Sequence, residues 1–137
     1  MKFELIEDIT CEEFLEIIEA VGFKTYSKEQ VVRALDNTMY MVKAVIDDEV
    51  VGIGRVVGDY SIVCCLSDIC VKPGFQGKGI GLKIVNYLKE KIENGVKEGE
   101  KIQVELTPTA GNEAFYMKAG FKYKPDVITG MYLWIKK

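Results

Sequence analysis

The segment from Pro73 to Val85, PGFQGKGIGLKIV, carries four glycines within eight residues, directly before an apolar helical pattern. Glycine weakens a helix start because it loses more backbone entropy on folding than any other residue. A tight turn needs only one or two glycines, so four indicate that something approaches the backbone closely. At a helix N-terminus, the unpaired amides and the helix dipole favour an anion. The segment therefore predicts a phosphate-binding site.

The spacing of these glycines excludes two widespread phosphate motifs. A Walker A loop requires G-x-x-x-x-G-K-[ST], but Gly79 is followed by isoleucine and glycine. The dinucleotide fingerprint G-x-G-x-x-G fails as well, because its third glycine, counted from Gly77 or Gly79, falls on Leu82 or Ile84. The pattern that does match is Q-x-x-G-x-G, which begins at Gln76.

Hydrophobic periodicity predicts the elements that position this loop. KFELIEDI alternates as a first strand, and two helices follow, each opened by a capping-box pattern, at Thr10 and Ser27. A hairpin is predicted around residues 47–49, followed by the apolar strand SIVCCLSDICVKP, the long helix and the strand KIQVELT. NEAFYMKAGF predicts a short helix from Asn112 as N-cap to Gly120 as C-cap, and GMYLWIKK a last strand. The order β-α-α-β-β-β-α-β-α-β predicts an α+β (α/β mixed) fold with helices on both faces of the sheet.

Composition and charge restrict the class of protein. The 137 residues are 48% hydrophobic, which predicts one globular domain over residues 1–137. A net charge of -3 gives no electrostatic reason to expect nucleic-acid binding. No apolar stretch approaches the roughly 18 residues of a membrane span, and the N-terminus lacks the apolar core of a signal peptide. We therefore expect a cytoplasmic protein that binds neither membrane nor nucleic acid.

The four cysteines and the absence of histidine exclude several kinds of catalytic site. No C-x-x-C pair is present, and without histidine the commonest zinc partner is missing, so no metal is expected. The cysteines are predicted to be small buried hydrophobes in a reducing compartment. A Ser-His or Cys-His dyad is likewise impossible, which excludes that route to covalent catalysis.

Two motifs together resemble the GNAT superfamily of acyl-CoA-dependent N-acetyltransferases. Gln76, Gly79 and Gly81 resemble its pyrophosphate motif [RQ]-x-x-G-x-[GA], and NEAFYMKAGF resembles its later N-x-x-x-F/Y-Y-x-x-x-G-F helix. The predicted element order fits over nearly the full length. The resemblance implies a single GNAT-like domain with a mostly antiparallel sheet of about six or seven strands.

The resemblance also implies acetyl-CoA as co-substrate. The amides at the start of the long helix would donate to the pyrophosphate, and the strand before the loop would pair with the pantetheine arm. Phe115, whose pattern also favours the core, is counted in this site, and Asn112 combines a capping role with a pantetheine contact. The expected cofactor-binding residues are Ile69, Cys70, Val71, Gln76, Gly77, Lys78, Gly79, Ile80, Gly81, Leu82, Asn112, Phe115 and Tyr116.

The implied reaction moves an acetyl group directly to a primary amine in a ternary complex, without an acyl-enzyme. Tyr116 lies where the family places the tyrosine that faces the coenzyme A sulfur, so it is the expected proton donor to the thiolate. Asp68 is the expected base, with Glu105 or ordered water as alternatives. A strand amide within residues 69–71 would stabilise the oxyanion.

The acceptor is less defined by the sequence than the cofactor. Phe23 and Tyr26, between the first two helices, are the expected substrate-binding residues, with Tyr40, Trp134 and Asp59 as further candidates for a cationic amine. The acceptor amine belongs to a small molecule or to a protein, and the family resemblance also allows a homodimer. A non-catalytic acyl-CoA-binding module is the alternative function, and the acidic balance disfavours acetylation of charged tRNA.

Overall fold

A computed structural model describes residues 1–23, 25–124 and 131–137 of the chain. Its elements in chain order are β1 (Phe3–Ile6), α1 (Cys11–Ala20), α2 (Lys28–Asp36), β2 (Tyr40–Ile46), β3 (Glu49–Gly58), β4 (Val63–Val71), α3 (Ile80–Gly95), β5 (Gln103–Glu105) and α4 (Glu113–Lys118). The chain divides into two units, Met1–Leu106 and Thr107–Lys137. The first unit holds the sheet and the glycine loop, and the second holds α4.

The sheet has the strand order β1-β2-β3-β4-β5. Neighbouring strands are antiparallel except for the parallel pair of β4 and β5. The predicted hairpin is confirmed, since Asp47 and Asp48 join β2 to β3 with φ angles of +47° and +69°. Two positive φ angles are typical of the type I′ turns that match strand twist. The mixed, mostly antiparallel sheet agrees with the fold class that the sequence predicts.

Helices cover both faces of the sheet, as expected. Ile53 of β3 packs into a buried cluster with Phe14, Ile17 and other apolar residues of α1 and α2. Side chains alternate along a strand, so the residues on either side of Ile53 face the opposite way. There Gly52 and Gly54 lie against α3, where a Cβ on Gly54 would come within 2.6 Å of Ile84 Cγ2. The sheet is therefore packed between α1 and α2 on one face and α3 on the other.

The predicted helix ends are correct to within one residue. The C-cap is Val21 in α1 and Ala119 in α4, and the glycine that follows each, Gly22 or Gly120, has a positive φ. In both cases the two amides after the cap bond back to the last turn in the Schellman pattern. Asn112 does occupy the N-cap of α4, but its side chain makes no capping hydrogen bond. Its predicted capping role is therefore wrong.

The strand count is lower than expected, with five strands in the described residues. Strand β5 contains only Gln103–Glu105 of the predicted KIQVELT. Residues 131–137 of GMYLWIKK form no strand, and Gly130 lies outside the described residues. Local alternation favours a strand, but a strand also needs a ladder partner, which local sequence does not specify. The prediction that residues 1–137 form one domain stays a prediction.

Among the helices of the described residues, none has the length and apolar character needed to cross a membrane.

Candidate functional site: the end of strand β4 and the glycine loop

The two halves of β4 differ in their pairing. From Val63 to Cys65 the strand is paired on both sides, with β3 and with β5. Beyond Cys65 it continues to Val71 along β3, but β5 is no longer beside it in the described part of the chain. Within the described residues, the C-terminal half of β4 therefore has one backbone edge with no strand beside it, which another extended chain can join.

A bulge interrupts the ladder in this same half of β4. The register with β3 shifts between Ile53 and Arg55, and Asp68 has a φ of +54°. A left-handed residue in a bulge is usually glycine, because other residues are strained there. The bulge thus brings a carboxylate to the strand position where the backbone is most irregular.

The Asp68 carboxylate is paired with a cation across the ladder. Arg55 Nε donates to Asp68 Oδ2 at 2.6 Å, and the two side chains are 18% and 24% exposed. Arg55 Nη1 also donates to Thr38 Oγ1 at 3.2 Å. The candidate base is therefore held in a half-buried ion pair.

The glycine loop takes a conformation that explains its composition. Gly74, Gly77 and Gly79 all have positive φ angles, from +76° to +90°. A Cβ built at any of the three would meet no atom within 4 Å. Backbone geometry therefore requires these glycines, while the side of the loop on which their side chains would stand is open.

The start of α3 leaves a row of amides without acceptors. Its N-cap, Gly79, offers no side-chain hydrogen bond, and the first turn carries no acidic residue. The first backbone bond of the helix is from Lys83 N to Gly79 O at 3.1 Å. No amide from Gly77 to Leu82 has an acceptor in the described residues. These groups can donate to an anion, and the helix dipole favours one there.

Two side chains hold the beginning of the loop. Gln76 Nε2 donates to Val71 O at 2.9 Å, so this amide group closes the loop onto the end of β4. Lys72 is ion-paired to Glu16 Oε1 at 2.8 Å and to Glu49 Oε2 at 3.4 Å. The hydrogen bond that Lys72 Nζ donates to Glu16 is the main cause that raises the pKa of Lys72. Gln76 thus contributes to the loop's shape, a role that its motif position alone does not indicate.

Cys70 is a packing residue in this part of the strand. It is 3% exposed and lies in the core cluster beneath α1 and α2. Burial, with a smaller effect of the Asp68 charge, raises the pKa of its thiol to about 12. Such a thiol stays protonated at neutral pH, so Cys70 offers backbone groups rather than a nucleophile. In the described residues no group of His, Cys, Asp or Glu could hold a metal ion.

The other motif lies in the second unit. Tyr116 is half-buried on α4, and its ring packs edge-on against Phe115 and Phe121 at centroid distances of 4.9 and 6.1 Å. Asn112 is exposed at the start of this helix. The helix of the motif is therefore confirmed, while the roles of its residues stay predictions.

The candidate acceptor residues lie in different places. Phe23 and Tyr26 are 46% and 39% exposed beyond the end of α1. Tyr40 instead lies against the C-terminal end of α3, where its hydroxyl would be 2.8 Å from a Cβ on Gly95. Asp59 accepts bonds from three backbone amides of its own turn, which lower its pKa. Tyr40 and Asp59 therefore have structural contacts of their own, and the roles of Phe23 and Tyr26 stay predictions.

Arg55 and Thr38 are site residues that the sequence analysis missed. A signal for Arg55 was present, because it is the only charged residue of the apolar stretch VVGIGRVVG. A lone charge in a central strand requires a buried partner. No such signal existed for Thr38, since its contact depends on the packing of α2 beside β3.

Comparison with known proteins bears out the resemblance of the two motifs. The sequence matches the profile of the acetyltransferase (GNAT) domain over residues 6–129. The chain belongs to the GNAT acetyltransferase family. It is accordingly a transferase of the acyl-transfer class, in a family whose members use acetyl-CoA as co-substrate and act on amines.

Individual GNAT relatives agree with this assignment. A probable acetyltransferase of unknown function from methicillin-resistant Staphylococcus aureus has a TM-score of 0.87 and 27% identity, covering 98% of this chain and 100% of that one. A GNAT family acetyltransferase from Streptococcus pneumoniae is 31% identical, with a TM-score of 0.73 over 99% and 98% of the two chains. The uncharacterized N-acetyltransferase ycf52 of Pyropia yezoensis is 24% identical over 92% of this chain and 72% of its own length.

Proposed function

We propose that this GNAT protein transfers an acetyl group from acetyl-CoA to a primary amine of a small molecule or a protein. The observation that carries the proposal is the row of open amides from Gly77 to Leu82 beside the unpaired edge of β4. Acetyl-CoA has two matching parts, an anionic pyrophosphate and an extended pantetheine arm with amide groups. One protein surface with both features fits a ligand with both.

The glycine loop fits the pyrophosphate. Its open side leaves room where a Cβ on Gly77 or Gly79 would stand, so phosphate oxygens can reach the amides. Lys78 adds an exposed positive charge; its ammonium lies 5.6 Å from the ring centroid of Phe75. The dipole of α3 contributes about 0.3–1 kcal/mol in favour of an anion at this point.

The edge of β4 fits the pantetheine arm. Lys72 N donates to Val51 O of β3, so the peptide groups of the preceding residue, Val71, point to the opposite edge. This is the edge that β5 does not cover, and there Val71 O accepts the bond from Gln76. The remaining backbone groups from Ile69 onward are the proposed partners of the pantetheine amides, as an added strand.

Two residues are proposed to move protons. When bound, acetyl-CoA supplies a thioester whose acetyl group passes to the amine and whose sulfur leaves as a thiolate. Asp68 accepts a proton from the amine, which is mostly charged at neutral pH because its pKa is near 10.4. Tyr116 holds a proton for the thiolate. Glu105 and water remain the alternatives for the base, and Phe23 and Tyr26 are proposed to contact the acceptor.

A thiol-release assay with acetyl-CoA and a panel of amines tests the proposal. We expect at least one amine to release thiol, and Tyr116→Phe to lower kcat about 100-fold while the affinity for acetyl-CoA stays within about threefold. Tyr123→Phe is the matched control, because Tyr123 is an exposed tyrosine of the same unit and its hydroxyl has no proposed role. Equal activity of the two variants would remove Tyr116 from the mechanism.

A non-catalytic acyl-CoA-binding module is a second candidate. The ion pair of Asp68 with Arg55 favours it, because Arg55 Nε occupies Oδ2 and only the second carboxylate oxygen is left for proton transfer. Tight binding of acetyl-CoA without thiol release for any amine would establish this module in place of the enzyme. A cytoplasmic location, independence of metals and a homodimer stay predictions.

A further inference from the structure

The bulge in β4 is joined to the rest of the fold through Arg55. Its guanidinium bonds Asp68 Oδ2 on one side and Thr38 Oγ1 on the other, and lies 6.0 Å from the centroid of the Phe14 ring. Thr38 Oγ1 in turn donates to Ala34 O at 2.8 Å, in the last turn of α2. Arg55 thus ties the bulge to the helical layer above it.

Asp68 needs such a tie because its backbone is strained. A φ of +54° is less favourable for an aspartate than for glycine, and contacts with the surroundings help to hold it. The ladder does not enforce it, because the register between β3 and β4 shifts at this point. The short contact between Arg55 and the Asp68 side chain is the interaction that spans the shift.

The contact also makes the two oxygens of the Asp68 carboxylate different from each other. Oδ2 is occupied by Arg55 Nε, whereas Oδ1 has no partner in the described residues. The planar guanidinium of an arginine holds a neighbouring carboxylate in a fixed direction through a charge-assisted hydrogen bond. The remaining oxygen can then accept an N–H from a group that enters the site.

We propose that Arg55 is a positioning residue for acetyl transfer, which holds Asp68 in its left-handed conformation and so presents Oδ1 to the acceptor amine. The inference rests on the proposed function and adds to it a residue that does not touch either substrate. It assigns the Arg55–Asp68 pair to catalysis rather than to stability alone. If the salt bridge only stabilised the sheet, its loss would lower the thermal midpoint without lowering kcat.

Two substitutions of Arg55 test this role in the thiol-release assay. Arg55→Gln keeps a donor but loses the charge, and we expect kcat to fall about tenfold or more while the Kd of acetyl-CoA changes less than about threefold. Arg55→Lys keeps the charge without the planar fork, so its kcat should lie between that of Arg55→Gln and the wild type. Circular dichroism establishes that each variant is folded.

Lys43→Gln is the matched control. Lys43 lies on the neighbouring strand β2 and forms a comparable ion pair with Glu13 at 2.9 Å, with side chains 11% and 24% exposed. Its loss should lower the thermal midpoint as the Arg55 variants do, yet leave kcat unchanged. Equal effects of Lys43→Gln and Arg55→Gln on kcat would overturn the proposal. If Arg55→Gln does not fold, Arg55→Lys decides, and a wild-type kcat for that variant overturns it.

A variant with both Arg55→Gln and Asp68→Asn shows whether Arg55 acts through Asp68 or independently of it. If Arg55 acts through Asp68, adding Arg55→Gln to Asp68→Asn should lower kcat no further than Asp68→Asn alone. Fully additive losses would contradict the proposal. Failure of the proposed function is distinct, because the wild type itself would then release no thiol with any amine. A wild type that is active beside equally active Arg55 variants would refute only the positioning role.

Discussion

The first turns of α1 and α3 show two opposite ways of starting a helix. In α1, Thr10 Oγ1 accepts from the amide of Glu13 at 3.1 Å, and Glu13 Oε1 accepts from the amide of Thr10 at 2.9 Å. In α3, the cap is Gly79 in a left-handed conformation, with no side-chain bond and no acid in the first turn. The first amides of α1 are therefore capped by side chains of the chain itself, and those of α3 are not.

The start of α1 is built for the stability of the fold, whereas the start of α3 is suited to binding an anion. The capping box satisfies amides of α1 within the chain and thereby stabilises the fold. At α3 the corresponding amides stay open, and glycine adds entropy cost without a compensating cap. A phosphate site needs helix amides that no side chain occupies, and leaving them uncapped lowers the stability of the helix start. Substitutions at the start of α1 and at the start of α3 should therefore affect stability and acetyl-CoA affinity differently.

The largest effect is expected for Gly81→Glu in the first turn of α3. The new carboxylate would lie where the pyrophosphate is proposed to bind, and like charges so placed cost several kcal/mol, a loss of affinity of about 100-fold or more. An acid in a first helical turn favours the helix, so unfolding should stay cooperative. Calorimetry with acetyl-CoA measures the affinity, and Asn86→Glu, an exposed site further along α3, is the control. Unchanged affinity in Gly81→Glu would rule out this binding site.

Gly79→Ala is expected to lower both stability and affinity. Gly79 has a φ of +82°, at which a Cβ costs about 1–2 kcal/mol even though no atom lies within 4 Å of it. If the helix start shifts to relieve this strain, the amides no longer converge on one anion. Chemical denaturation measures the first effect and acetyl-CoA titration the second. A variant as stable as the wild type would show that the left-handed cap is not required.

Thr10→Ala should lower stability alone. It removes the cap of α1, at a cost of about 1 kcal/mol in the free energy of unfolding. None of the residues proposed to bind acetyl-CoA lies on α1, so the Kd of acetyl-CoA should not change. The same two measurements as for Gly79→Ala apply, and a weakened Kd in Thr10→Ala would mean that the two helix starts are coupled.

The smallest effect concerns the pH dependence of the α1 start. Burial by itself raises the pKa of Glu13, but the hydrogen bonds from Thr10 and Lys43 outweigh it and hold this pKa below its usual 4.5. A lowered pKa in the folded state gives stability that is present above pH 4.5 and lost as the pH falls through the folded pKa. Thermal melts between about pH 5 and pH 3 should show a weaker pH dependence in Glu13→Gln than in the wild type. Identical slopes would contradict the role assigned to this carboxylate.

The sequence predicted the features that are encoded locally. The capping pattern at Thr10, the turn at Asp47 and Asp48, and the glycines before α3 all depend on residues within a few positions of one another. The two motifs that together carried the family resemblance, Gln76 to Gly81 and the later helix NEAFYMKAGF, are local patterns of the same kind. Most elements of the fold followed from such signals.

Features that depend on pairing between distant segments were missed. The bulge at Asp68 arises from the register of β4 on β3, and no local pattern specifies it. The contact of Arg55 with Asp68 spans 13 residues of sequence and exists only because of that register. The expected last strand was wrong for residues 131–137 because alternation alone does not supply a partner. The features that the sequence did not predict are thus those that depend on contacts between segments far apart in the chain.

The glycines of β3 affect how far the proposed phosphate site can tolerate substitutions elsewhere in the fold. Ile84 Cγ2 and Leu88 Cδ1 lie 2.6 and 3.0 Å from where a Cβ on Gly54 would be, so α3 sits as low on the sheet as its own side chains allow. A single methyl group at position 54 would raise the middle of α3, and the amides at its start would rise with it. The height of the proposed anion site above the sheet therefore depends on a residue with no side chain, which contacts α3 about one to two turns after Gly81.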